Sequence, residues 1–262
     1  EEFTVSNGGA TMKVITLGGI ITELHVPDRD GKMDDIVLGF ENLDGYLKGH
    51  PYFGCITGRY CNRIGKGKFT LEGKEFTLAT NNGANHLHGG TVGFDKVVWK
   101  GRKIESDKGV GVEFTRRSPD GEEGYPGNLD VTVRYLLGDK FDLRMEYEAV
   151  TDKATPVNLT NHTYFNLGGI KGGDILGHKL KLNADKYTPA DDTLLPTGKV
   201  VPVEDTPFDF REFKDIGKDL AKAGGDPVGY DLNYALNRKE GEAMQPAGRV
   251  VDPKSGRAME VR

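Results

Sequence analysis

A histidine stands among hydroxyl and amide side chains in the segment from Thr160 to Asn166. On an extended strand side chains alternate between two faces, so one face carries Thr160, His162, Tyr164 and Asn166. That face is polar, and its imidazole, with a reference pKa of about 6.5, exchanges a proton near neutral pH. The pattern predicts a hydrogen-bonding ligand such as a neutral polyol, with His162 as the acid or base. A histidine whose hydrogen bonds are satisfied inside the core is the structural alternative.

A second polar segment runs from Gly58 to Ile64 and contains two arginines and an asparagine. Arg59, Asn62 and Arg63 follow an apolar stretch that ends near Ile56, where a strand would deliver them to one edge of a sheet. These side chains suit the hydroxyl groups of a polyol. A surface arginine more often pairs with a carboxylate, so each arginine also has a structural interpretation.

A third segment, from Asn85 to Gly90, places two histidines before paired glycines. Glycine lets a backbone approach a ligand closely, so His88 is a further candidate for the site. The His-x-His spacing is also compatible with a metal site. No acidic or cysteine ligands accompany the two histidines in the sequence, and we expect no metal.

Composition limits the classes of partner. The 262 residues carry a net charge of −5, with a pI near 5.8. Lysines are scattered, so neither nucleic acid nor an anionic membrane surface is an expected partner. No stretch approaches the roughly 18 to 20 apolar residues of a membrane span. Cys55 and Cys61 fit neither a zinc pair nor a CxxC motif, and we expect reduced thiols in a soluble, cytoplasmic protein.

The elements that must position these residues are predicted mainly as strands. Apolar residues alternate with polar ones over residues 129–135, and again over 141–147 after the turn signal Gly138-Asp139. This pattern predicts an antiparallel hairpin with Phe141 and Leu143 on the same face. A second hairpin is predicted at 69–71 and 76–78. Further strands are predicted at 11–16, 110–115, 179–182 and 249–252, between clusters of turn-forming residues.

Helical periodicity is scarce. The best candidate runs from Arg211 to Ala223, with Phe213, Ile216 and Leu220 at spacings of three and four. No repeat of fixed period and no change of composition marks a linker. One large β-sandwich is therefore favoured over two domains, and a propeller is the alternative that lacks its blade repeats.

Several short motifs occur together in a fixed order along nearly the whole chain. They span residues 62–64, 87–90, 93–96, 120–127, 155–167 and 195–198. Each alone is weak, but the ordered set closely resembles the galactose mutarotases, or aldose 1-epimerases. The sequence of residues 89–99 is most similar to plant members of that family.

This resemblance implies an all-β fold, a large antiparallel β-sandwich of the galactose mutarotase type. It implies interconversion of the α and β anomers of free aldohexoses such as galactose and glucose, without a cofactor or metal. By the same resemblance, His162 is the general acid that protonates the ring oxygen, and His88 is the second active-site histidine, which holds the sugar near that oxygen. The expected substrate contacts are Asn62, Arg63, His88, Tyr164 and Asp231.

The family's general base is a glutamate in a C-terminal strand, and the sequence printed here ends before the corresponding motif. Glu260 lies too early and in a different motif, so it is not assigned that role. We therefore expect residues 1–262 to form a single aldose 1-epimerase domain that lacks its C-terminal strands, and a chain without this glutamate to be impaired in catalysis. A monomer or a weak homodimer is expected.

Two other functions stay open at this point. A hexose-6-phosphate 1-epimerase would need arginines that converge on the phosphate, and Arg59 and Arg63 are the candidates. A non-catalytic sugar-binding protein with the same fold would bind a hexose without speeding exchange between its anomers.

Overall fold

The computed structural model describes residues 1–238, 240–241 and 244–262, and the chain divides into two compact units. Unit 1 comprises Glu1–Pro27 and Met33–Phe165, and unit 2 comprises Asp28–Lys32 and Asn166–Arg262. Strands make up most of the regular structure in both units, which confirms the all-β prediction. The expectation of a single domain over residues 1–262 stays a prediction, because a division into compact units does not show which parts fold alone.

Unit 1 contains two four-stranded antiparallel sheets, ordered β1-β2-β3-β4 and β10-β11-β12-β13, and the short pairs β5-β14, β6-β9 and β7-β8. A short helix, α1, spans Leu43–Leu47, and 3-10 turns span Gly65–Gly67, Phe94–Lys96 and Glu122–Gly124. The strands are β1 (Glu2–Asn7), β2 (Ala10–Ile15), β3 (Ile20–Pro27), β4 (Met33–Asp35), β5 (Ile56–Thr57), β6 (Arg63–Ile64), β7 (Lys68–Leu71), β8 (Lys74–Thr77), β9 (His86–Leu87), β10 (Lys100–Ser106), β11 (Gly109–Ser118), β12 (Leu129–Leu137), β13 (Leu143–Thr151) and β14 (Thr160–Asn161).

The core of unit 1 follows from alternation along these strands. In β12, Leu129, Val131, Val133 and Tyr135 are all buried, as the sequence predicts. Burial of each such side chain contributes about 1.5 to 3 kcal/mol. The Tyr135 hydroxyl donates a hydrogen bond to the Gly19 carbonyl at 3.1 Å, which links the second sheet to the turn before β3.

The hairpin predictions are confirmed with one correction. β12 pairs with β13 from Leu129 opposite Thr151 to Leu137 opposite Leu143, and β7 pairs with β8. The prediction that Phe141 shares a strand face with Leu143 is wrong. Phe141 lies in the turn with a φ of 58° and is 55% exposed, because β13 begins only at Leu143.

Unit 2 contains two smaller antiparallel sheets, ordered β18-β15-β20-β21 and β17-β16-β19. Phe210 and Val203 are buried in its core, and Phe210 packs edge-on against Tyr230 with ring centroids 5.2 Å apart. The strands are β15 (Lys179–Leu182), β16 (Lys186–Thr188), β17 (Val201–Pro202), β18 (Lys214–Asp215), β19 (Asn233–Ala235), β20 (Gly248–Val251) and β21 (Ala258–Val261).

The helix predicted from Arg211 to Ala223 is wrong. Its centre forms strand β18, and a 3-10 turn at Leu220–Lys222 follows. The amide of Ile216 donates to the carbonyl of His178 at 2.9 Å, so the segment continues a sheet instead of coiling on itself. Apolar spacing alone does not distinguish the two outcomes in a short segment, because the sheet partner is distant in sequence.

In the described part of the chain, no helix combines the length and apolar character needed to cross a membrane.

Candidate active site

His162 is held by its main chain against the segment that leads into β5. β14 pairs with β5, and just after this pairing the His162 amide donates to the Cys55 carbonyl at 2.9 Å. The Gly54 amide donates to the His162 carbonyl at 3.2 Å. The Asn161 side chain adds a hydrogen bond to the Gly54 carbonyl at 2.9 Å. The position of the candidate acid is therefore fixed by non-local pairing within unit 1.

The extended face predicted through Asn166 is wrong beyond Asn161, where β14 ends. The Asn161 carboxamide oxygen accepts the amide of Thr163 at 2.9 Å, a local bond that competes with strand pairing. Tyr164 still lies beside His162, with ring centroids 5.3 Å apart. Asn166 belongs to unit 2, where its side chain donates to the Gly173 carbonyl at 2.8 Å, so it has a structural role in a glycine-rich turn.

His88 and Asn62 are joined across the pairing of β6 with β9. The His88 amide donates to the Asn62 carbonyl at 3.0 Å, and the Asn62 amide donates to His88 Nδ1 at 3.0 Å. Since Nδ1 accepts a hydrogen bond, the proton of a neutral His88 is on Nε2. The main-chain amide of Asn62 therefore sets the tautomer of His88, which is a hydrogen-bond donor through Nε2.

The loop that carries His88 depends on close backbone contacts. His88 has a φ of 51° and Asn62 a φ of 64°, both in the left-handed region. At Gly89 a Cβ atom would lie 1.7 Å from the carbonyl oxygen of Gly58, so only glycine fits. Asn81 donates to the Leu87 and Gly90 carbonyls at 2.9 Å each, on either side of His88. The sequence analysis missed Asn81, since an asparagine before Asn-Gly is typical of any turn.

Two tyrosine rings, those of Tyr52 and Tyr164, pack against the pair of imidazoles. The imidazoles of His88 and His162 lie 5.1 Å apart between centroids, at an interplanar angle of 82°. Tyr52 contacts both, at 4.6 Å from His88 and 5.5 Å from His162. The structure therefore brings His162, His88 and Tyr164 together, and adds Tyr52, which no motif in the sequence indicated.

The environment of His88 determines its protonation state. Burial first, and then the nearby groups His162, Arg63 and Lys96, lower the pKa of His88 to about 3. His88 is thus neutral at physiological pH. Burial also raises the pKa of Tyr52 to about 12, so its phenol keeps its proton.

Arg63 lies next to the histidine pair and is held by asparagines. Its Nε donates to Asn82 Oδ1 at 3.0 Å, and a terminal nitrogen donates to Asn62 Oδ1 at 3.4 Å. The guanidinium is partly exposed and has two of its five N–H groups in these bonds. The remaining donors are available for hydroxyl oxygens of a ligand.

Arg59, by contrast, is a structural residue. Its side chain is buried at 1% exposure, and its terminal nitrogens make six hydrogen bonds to main-chain and hydroxyl oxygens. The acceptors belong to Ser118, Pro119, Pro126, Gly127 and Thr155. Arg59 is therefore not free to bind a phosphate, and the phosphate-binding hypothesis loses one of its two arginines.

His86 is also structural. Its Nδ1 lies 2.7 Å from the Ala79 carbonyl and its Nε2 lies 2.6 Å from the Tyr125 hydroxyl, so both ring nitrogens have partners. His88 Nδ1 is bonded to the Asn62 amide. The His-x-His spacing therefore does not form a metal pair. No cluster of three or more His, Cys, Asp or Glu side chains suited to a metal occurs among the described residues.

Asp231 lies in unit 2, shortly before β19, and is exposed. Its assignment as a substrate contact stays a prediction.

Known proteins similar to this chain agree on one family. The family model described as aldose 1-epimerase matches residues 1–262. Galactose mutarotase from Sus scrofa is 47% identical over 261 residues, which is 100% of this chain and 74% of that protein. Aldose 1-epimerase from Escherichia coli K12 is 37% identical over 247 residues, which is 94% of this chain and 70% of that protein.

Solved structures give the same result for the fold. The GalM/aldose epimerase homologue from C. elegans matches with a TM-score of 0.88 and 31% identity, over 99% of this chain and 78% of that one. Galactose 1-epimerase from Lactobacillus acidophilus NCFM matches with a TM-score of 0.83 and 32% identity, over 96% and 72%. The predicted fold of the galactose mutarotase type is confirmed, and the chain belongs to the aldose 1-epimerase family.

Proposed function

We propose that this protein, an isomerase, interconverts the α and β anomers of free aldohexoses such as galactose and glucose, using His162 as the general acid. The observation that carries the proposal is the pair of adjacent imidazoles in which His88 is neutral and fixed in one tautomer. Membership in the aldose 1-epimerase family supports the same reaction.

The reaction requires two proton movements. Mutarotation opens a hemiacetal, so the ring oxygen gains a proton while the anomeric hydroxyl loses one. Coupling the two movements prevents charge from accumulating on either oxygen. A positioned acid or base contributes about 10² to 10⁴ in rate. The open aldehyde then rotates about its C1–C2 bond, and the ring closes on the opposite face.

The two histidines have different proposed roles at the ring oxygen of the sugar. Because its pKa is lowered to about 3, His88 is neutral at neutral pH and does not act as an acid. Its Nε2–H donates a hydrogen bond to an acceptor and keeps its proton. In our proposal it holds the sugar, and His162 donates the proton and recovers it on closure.

Binding must hold the distal hydroxyls and leave C1 free to rotate. Asn62, Arg63, Tyr164 and Asp231 are proposed for the distal contacts. The proposed base is the C-terminal glutamate that the family resemblance implies, and Glu260 is not assigned that role.

Polarimetry of freshly dissolved α-galactose tests the proposal. His162→Gln should lower turnover by about 10² or more, while the affinity for galactose measured by calorimetry changes only a few-fold. The control is His25→Gln, a partly exposed position paired with Glu23 at 2.7 Å, which should leave both quantities unchanged. Equal loss of turnover and affinity in His162→Gln would make His162 a binding contact instead of the acid.

The same assays separate the other two functions. A non-catalytic sugar-binding protein would release heat on binding galactose without speeding the change in optical rotation. A hexose-6-phosphate epimerase would prefer the phosphorylated sugar, and the hydrogen bonds of Arg59 to main-chain oxygens argue against it.

We also propose a cytoplasmic location, which the free thiols of Cys55 and Cys61 support. The proposed assembly is a monomer or a weak homodimer.

A further inference from the structure

Tyr52 lies against both imidazoles of the site. We propose that Tyr52 is a positioning residue, which sets the orientation of His162 relative to His88 and is itself held in place by Lys96 and Asp95. The inference rests on the function proposed above, since it assigns a role in the same reaction. The proposed role of Tyr52 is to orient His162, and its phenol is not proposed as an acid or base.

The main chain around Tyr52 connects directly to His162. The Cys55 amide donates to the Tyr52 carbonyl at 3.3 Å, and the Cys55 thiol lies 3.1 Å from the same oxygen. This turn also supplies the Gly54 amide and the Cys55 carbonyl that bind the main chain of His162. One turn therefore holds the backbone of the acid and carries the ring that packs on its imidazole.

Tyr52 adopts a backbone conformation that its surroundings must impose. Its φ is 63°, in the left-handed region that bulky residues rarely occupy. Such residues persist where neighbouring contacts determine them, and they cluster at functional sites. His88, one of the two imidazoles, and Asn62, whose amide donates to it, have positive φ as well.

An ion pair between the half-exposed Lys96 and the buried Asp95 contacts the ring of Tyr52 from a further direction. Lys96 Nζ lies 5.3 Å from the centroid of the Tyr52 ring and 2.7 Å from Asp95 Oδ2. The Asp95 carboxylate is only 4% exposed, and its Oδ1 has no hydrogen-bond partner among the described atoms. Moving Lys96 away would leave the buried Asp95 carboxylate without its cation, which is unfavourable. The ammonium is thereby kept over the Tyr52 ring, where a cation is attracted to the ring face.

Orientation of the acid matters because proton transfer requires a narrow geometry. The imidazole of His162 can rotate about its side-chain bonds, and a misplacement of about 1 Å can cost about 10² in rate. The Tyr52 ring occupies space beside both imidazoles and so limits this rotation. Its burial keeps the phenol neutral, so the ring acts by contact without adding a charge.

The test compares variants of Tyr52 and Lys96 in the full chain, with galactose as the sugar. Tyr52→Phe keeps the ring and should retain kcat within about twofold, whereas Tyr52→Leu should lower kcat by about tenfold or more with KM changed less than about threefold. Lys96→Met should also lower kcat, as Tyr52→Leu does. The charge control is Lys68→Met, at an exposed lysine paired with Glu75 at 2.8 Å in the same unit, and it should have no effect.

Nitrogen-15 spectra of the histidine side chains provide a readout that does not need turnover. In a folded Tyr52→Leu protein, the His162 ring resonances should shift or broaden, while His88 keeps its Nε2–H tautomer. Lys96→Met supplies the same readout if Tyr52→Leu does not fold. Unchanged His162 resonances, or a loss confined to KM, would overturn the positioning role. A wild-type protein without mutarotation would overturn the proposed function instead, and the spectra would still decide the role of Tyr52.

Discussion

Acidification should destabilise unit 1, because His88 is packed there as a neutral imidazole. The pKa of His88 is lowered from 6.5 to about 3 in the folded chain. Between these two values the unfolded chain binds a proton that the folded chain does not, so stability rises with pH across this window. The contribution is fully present above about pH 6.5 and is lost progressively as the pH falls toward about 3.

The magnitude follows from the shift. Each pKa unit corresponds to about 1.4 kcal/mol, so the full effect of His88 is on the order of 5 kcal/mol, and about 2 kcal/mol of it falls between pH 7 and pH 5. His50, His86 and His178 also have a pKa lowered by burial, and they add to the loss in the wild type. The share of His88 must therefore be measured as a difference between variants.

Urea unfolding at several pH values measures this difference. The single tryptophan, Trp99, is buried in unit 1, so its fluorescence reports the unit that contains His88. His88→Asn removes the titrating group, and asparagine tolerates the left-handed backbone at this position. Between pH 7 and pH 5 the free energy of unfolding should fall in both proteins. The fall should be smaller in His88→Asn than in the wild type, by about 2 kcal/mol.

The control is His25→Asn, which removes an imidazole from a partly exposed position on β3. Wild type and His88→Asn curves that run parallel within about 0.5 kcal/mol would refute the assignment of His88 as a buried neutral group. The proposed division of labour between the two histidines would then lose its basis.

Three further predictions concern the structure around the site. Arg59→Met should lower the free energy of unfolding by about 3 to 5 kcal/mol, because it orphans buried oxygens, and unchanged stability in urea would contradict the structural role. Gly89→Ala should lower the melting temperature steeply, because its Cβ would lie 1.7 Å from a backbone oxygen, whereas Gly83→Ala meets no atom within 4 Å and should cost about 1 kcal/mol. Glu123→Ala should speed hydrogen exchange of the Thr91 amide by about tenfold, because the carboxylate accepts that amide at 2.9 Å, and an unchanged rate would contradict this contact.

Local patterns in the sequence were sufficient for the hairpins. The alternation in β12 and β13, separated by a glycine-containing turn, predicts their pairing because both strands and their connection are adjacent in the chain. The bounds predicted for strand β15 are also those observed, although its partners β18 and β20 are distant in sequence. The segment around Ile216 was misassigned as helix, since its partner near His178 is far away in sequence.

The types of the reactive groups were also readable from the sequence, and the ordered motifs pointed to the family. His162 and His88 were named from their polar and glycine-rich neighbours. Their proximity, the neutral state of His88 and the contacts of Tyr52 were not readable. Arg59 and Arg63, two similar candidates four residues apart, turned out to have different environments.

The physical reason is the range of the interactions. Strand periodicity and turn chemistry act between residues near in sequence, so they leave a local pattern. Ring contacts, desolvation and the pairing of a buried charge depend on segments that meet only after folding. The sequence by itself therefore determined most of the strands and the candidate histidines, and the tertiary structure decided that His88 is kept neutral and which side chains pack against the pair.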